Sequence, residues 1–61
     1  MKAEHITITI GDKCFDLPKD IQIPEKGDVF FIEGFTGVVY QKNFHIIRGK
    51  VHMISIFAYK Q

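Results

Sequence analysis

Only one cysteine, Cys14, occurs in this 61-residue chain, so no disulfide can close within it. A lone thiol without a disulfide framework fits a reducing compartment. No apolar run approaches the ~18 residues that cross a membrane as a helix. No basic segment followed by an apolar one opens the chain, so no signal peptide is visible. These absences set the expectation of a soluble, cytoplasmic protein without a membrane partner. No stretch repeats apolar residues at i, i+3, i+4 and i+7 over a helical length, which argues against helices. The formal net charge is only +1, which gives no strong overall pull toward anionic partners.

The residues that carry chemistry are equally sparse. Ser55 is the only serine, and it lies mid-strand without the sharp turn that presents a nucleophile. Asp12 and Asp16 flank Cys14, and negative charge beside a thiol disfavours the reactive thiolate. Asp20 and Asp28 lie in or near turns and converge on no second carboxylate. His45 and His52 could share a metal, but His5 and Cys14 complete no ligand-spaced set. Gly34-Phe35-Thr36-Gly37 matches the GxxG pattern of KH-type RNA-binding loops. That loop needs flanking helices, and this one joins strands. No enzyme activity, cofactor, metal or small-molecule substrate is expected.

What is present is strand composition. Hydrophobic residues make up 46% of the chain, which is ordinary for a globular protein. β-branched and aromatic residues form short runs with Gly, Asp and Pro between them. The length predicts one domain spanning 1–61. A domain this small buries only about 60% of its unfolded surface, so it gains from any further surface it can cover.

The first hairpin is the clearest element. His5 to Ile10 alternates strictly, Gly11-Asp12 supplies a two-residue turn, and Lys13 to Leu17 returns. That turn sets Ile8 against Phe15 and Ile6 against Leu17 on one face. Thr9 then opposes Cys14, and Thr7 opposes Asp16, on the other. Pro18 to Asp28 reads as a loop whose Ile21 and Ile23 could lie over the core. Four strands are expected after it: Val29–Ile32, Val38–Gln41, Phe44–Ile47 and Lys50–Tyr59. Their turns are Glu33–Gly37, Lys42-Asn43 and Arg48-Gly49. In the last strand Val51 and Met53 point inward at odd positions, and Ile54 and Ile56 take over at even ones. A β-bulge near Met53-Ile54 explains the switch.

The expected fold is therefore a small all-β antiparallel barrel, SH3-like or OB-like, of five or six strands. An N-terminal hairpin packs on a four-stranded meander. Directly opposed residues share a face. The core rows of the meander are then Phe31, Val39, Ile46 and Val51, followed by Val29, Gln41, Phe44 and Met53. The other face carries Phe30, Tyr40, His45 and His52 in one row, with Ile32, Val38, Ile47 and Lys50 beside it.

That second face is the candidate binding surface. Its residues are Phe30, Tyr40, His45, His52 and Lys50, with Lys42 and Arg48 at the adjacent turns. Aromatic side chains anchor protein interfaces. An apolar patch of this size is rarely left in water. The expected function is a non-catalytic interaction module that binds a protein partner or another copy of itself. The alternative is nucleic-acid binding, with bases stacked on the rings. Residues 1–33 hold all seven acids, whereas residues 34–61 hold Lys42, Arg48, Lys50 and Lys60 and no acid. The competing readings are structural: the two halves pair through their charges, and the aromatic face is a second core under the 18–28 loop or the C-terminal segment.

Overall fold

The computed structural model describes residues 3–61. It contains five strands: β1 His5–Ile10, β2 Lys13–Leu17, β3 Val29–Ile32, β4 Phe35–Ile47 and β5 Lys50–Lys60. They form one sheet in the order β2-β1-β5-β4-β3, curled into a half-barrel. The all-β, barrel-like expectation is what the structure shows.

The first hairpin has the expected register. Ile6 pairs with Leu17, Thr7 with Asp16, Ile8 with Phe15 and Thr9 with Cys14. Gly11 has φ +62°, the positive value at the first central position of a type II′ turn. The turn and the alternation specify the same pairing, and a one-residue slip would turn every isoleucine outward.

The meander differs from its expectation in two places. The reversal after β3 uses only Glu33 and Gly34, at φ +47° and +84°, a type I′ turn. Phe35, Thr36 and Gly37 belong to β4, so Val29 pairs with Val38 and Phe31 with Thr36. Lys42-Asn43 makes no turn, and β4 runs unbroken to Ile47. The expected four-stranded meander is thus three strands, one of them long. The physical reason lies in the turn chemistry. Every tight reversal here places a glycine at positive φ, and Lys42-Asn43 offers none.

The expected core rows change accordingly. Phe31 faces solvent at 78% exposure, whereas Val39 is buried. Phe30 and Ile32 pack inward instead. Two irregularities adjust the long β4–β5 pairing. One leaves Tyr40 as an extra residue between Val39 and Gln41, and the other leaves His52 as an extra residue in β5. The second lies one residue before the bulge expected at Met53-Ile54 and reconciles Val51 with Ile54 in the same way.

The sheet is mixed rather than purely antiparallel, because β1 and β5 are parallel. The sequence supplies the reason. Ile6, Ile8 and Ile10 repeat at the same period as Ile54, Ile56 and Ala58, and each meets its counterpart directly. Parallel central strands are favoured where their face is covered. These six residues, with Ala3 and Val39, are the buried core. Full burial of one isoleucine contributes roughly 1.5–3 kcal/mol. The 18–28 segment crosses the open side. Ile21 and Ile23 pack against the core, and Pro24 is buried.

Gly37 allows the sheet to curl. A Cβ there would lie 2.9 Å from Ala58 Cβ and 3.1 Å from Ile10 Cγ2. Only a residue without a side chain lets β4 bend this close to β1.

Candidate interaction surface

The outer face of the sheet is built by the residues that alternate with the core. Along β5 these are Ser55, Phe57 and Tyr59, between buried Ile54, Ile56 and Ala58. Along β4 they include Val38 and Tyr40, on either side of buried Val39. A bulge re-aims the side chains beyond it. Here it turns Gln41 outward, opposite Phe57, and Lys42 inward, opposite Ile56. The Tyr40 and Tyr59 rings stack with centroids 4.2 Å apart and planes at 25°, and Phe57 lies 6.5 Å from Tyr40.

The apolar surface continues sideways from this stack. Val29, Val38 and Tyr59 form one row across three strands. Phe31 stands in the next row on β3. Tyr59 is 62% exposed and Val29 is also exposed. Neither the 18–28 loop nor the C-terminal segment hides these side chains, which goes against the second-core reading for this part of the face.

Further along the same face the chemistry turns to imidazoles. His45 Nε2 lies 3.3 Å from the Ser55 hydroxyl. His45 pairs with Met53, which pairs with His5. His5 and His52 meet edge to face at 5.9 Å, and His52 Nδ1 lies 3.3 Å from Glu4 Oε2. Among the described residues no cluster of three or more His, Cys, Asp or Glu is placed to hold a metal ion. Cys14 is exposed opposite Thr9.

The expected site residues therefore divide. Tyr40, His45 and His52 share the outer side of the sheet, in two groups rather than one row. Phe30 does not join them, because it packs on the core side opposite Gly37. Lys42 also turns inward, opposite buried Ile56, and its Nζ lies 3.4 Å from Glu25 Oε2. Arg48 is in the β4–β5 turn and Lys50 follows it, at the far end of the hairpin from the Tyr40–Tyr59 stack. Phe31, Phe57 and Tyr59 are the members that the sequence reading missed. Period-two alternation carried through to residue 59 would have found the last two.

Beside the sheet a concavity of about 390 Å³ is open and runs along Ile23, Pro24 and Phe30. There Asp28 Oδ2 accepts the Glu25 backbone amide at 2.7 Å, and the Glu25 carboxylate faces Lys42 Nζ at 3.4 Å. Among the described residues no helix is long and apolar enough to cross a membrane. No protein-family model matches the chain, and no curated protein or solved structure matches it.

Proposed function

We propose that the chain is a non-catalytic interaction module that buries its outer aromatic face against another protein surface, with a second copy as the partner. The observation that carries this reading is the Tyr40–Tyr59 stack continuing into exposed Phe31 and Val29. Stacked rings form a rigid, preorganised platform with little entropy left to lose on binding. Contiguous apolar surface of this kind marks an interaction site. Self-association is the economical case, because a core of eight buried apolar residues among those described gains from a second buried surface.

The arrangement supports a protein ligand over nucleic acid. Single-strand binders set cations along the stacking platform. Here Lys42 lies on the inner face against Glu25, and Arg48 and Lys50 stand at the opposite end of the hairpin. The two tyrosines also stack on each other, which occupies one face of each ring.

Light scattering across a concentration range tests the reading. The weight-average mass is expected to rise from 7.1 kDa toward twice that value. A mass that stays at the monomer value throughout speaks against the second copy. A pull-down that retains the same proteins on the native chain and on a Tyr59→Ser/Phe31→Ser variant then removes the outer face as the site.

A further inference from the structure

The long strand β4 has an open edge. β3 pairs with it only as far as Val38, and Gly27 and Asp28 bond Val39 beyond that. From residue 40 to 47 no described segment pairs with β4 on this side. The β4–β5 turn tells which backbone groups are free. Arg48 and Gly49 have φ +52° and +77°, so the turn is type I′ and Ile47 exchanges its hydrogen bonds with Lys50. Alternation then points the amides and carbonyls of Lys42, Phe44 and Ile46 away from β5. An exposed edge of this length with apolar side chains is a template for strand addition. Phe44 is 45% and Ile46 62% exposed along it.

A cavity of about 170 Å³ lies against the same edge, lined by Val39, Tyr40 and Phe44 with Lys26 and Lys42. A space of about 150 Å³ holds a benzene ring. One apolar side chain of an added strand therefore fits.

Charge selects the occupant. Lys26 and Lys42 border the cavity, and Arg48 and Lys50 stand where the edge ends. Glu25 offsets Lys42 only through a contact of 3.4 Å from a carboxylate that is itself 80% exposed, a weak pair by its geometry. Two copies pairing antiparallel about Phe44 would set Lys42 of each opposite Ile46 of the other with Arg48 diagonal to it, which gathers cations at both ends of the pair and leaves them no carboxylate.

We propose that the residue 40–47 edge takes an extended acidic segment of a partner protein as an added strand. Its backbone bonds Lys42, Phe44 and Ile46, one apolar side chain enters the cavity, and its carboxylates meet Lys26, Lys42, Arg48 and Lys50. This is β-strand addition with charge selection. The edge and the outer face meet at Tyr40 and are otherwise built from different residues. Tyr59→Ser leaves the edge intact, and Ile46→Pro leaves the Tyr40–Tyr59 stack intact.

The test is amide exchange on the whole chain with an eight-residue peptide alternating glutamate and valine. The expected result is slowing of about tenfold or more at Lys42, Phe44 and Ile46. The corresponding lysine–valine peptide gives none, and added salt weakens the effect. Ile46→Pro removes an outward donor without touching the β4–β5 ladder and abolishes the protection. Glu25→Gln frees Lys42 and strengthens binding, and this variant keeps the test open should Ile46→Pro unfold. No protection by the acidic peptide, or equal protection by the basic one, overturns the proposal. Protection that grows with protein concentration in the absence of peptide, confined to these three amides and kept in the Tyr59→Ser variant, also overturns it, in favour of a second copy on the edge.

Discussion

Tyr40 stacks on Tyr59 with ring centroids 4.2 Å apart, at the point where β4 carries one residue more than its partner. Alternation past buried Val39 puts Tyr40 on the outer face, and the bulge then turns Gln41 to that face as well, opposite Phe57. Tyr59→Ser removes the stack while leaving the buried core untouched. An aromatic pair is worth about 0.5–1.5 kcal/mol. Urea unfolding should show a loss within that range, and association should fall far more than stability does. A variant that associates as the native chain does would detach the stack from the interface.

The parallel contact between β1 and β5 holds the fold together. Ile8 and Ile56 oppose each other there with 0% exposure each. Truncating either to alanine costs about 2–5 kcal/mol. A core this small rarely supplies more than about 3–5 kcal/mol in total. Ile56→Ala is therefore expected to be largely unfolded by circular dichroism at room temperature. A cooperative melt within a few degrees of the native one, on the scale of about 4–8 °C per kcal/mol, would contradict this.

Gly37 should tolerate nothing larger. Its Cβ position lies 2.9 Å from Ala58 Cβ and 3.1 Å from the Tyr59 carbonyl oxygen, and the carbonyl cannot simply rotate away. Gly37→Ala is expected to cost about 1–3 kcal/mol by overpacking, read as a lower urea midpoint with unchanged slope. An unchanged midpoint would show that β4 can move off β1 at no cost.

The two type I′ turns predict a gain. Glu33 and Arg48 hold positive φ values that side chains other than Asn and Asp adopt reluctantly. Left-handed geometry costs an ordinary residue about 1–2 kcal/mol, and asparagine less. Glu33→Asn and Arg48→Asn should each raise stability by up to about 1 kcal/mol in thermal melts. Destabilisation by either would mean that the replaced side chain makes a contact worth more than the turn strain.

How much of this was legible depends on the element. The first hairpin could be read to the residue, because Gly11-Asp12 and the isoleucine alternation agree. The stretch 33–47 could not. Phe35-Thr36-Gly37 looks like turn material, yet Gly37 is in strand, paired with Phe30 and Lys60, and glycine stands there because Ile10 and Ala58 leave no room for a side chain. That constraint comes from β1, which is distant in sequence. The same slip misplaced Phe30 and Phe31 relative to the core. Tyr40 and His45 do share the outer side, but by a bulge in one continuous strand and not by a turn at Lys42-Asn43. The strand-to-strand order is invisible in local pattern, although the matched periods of residues 6–10 and 54–58 hint at the parallel pair.

Sedimentation equilibrium of the native chain beside Tyr59→Ser/Phe31→Ser puts the outer-face interface to the most direct test. The account predicts a reversible increase above 7.1 kDa for the native chain and a constant monomer mass for the folded variant. Equal masses for the two at every concentration would contradict it.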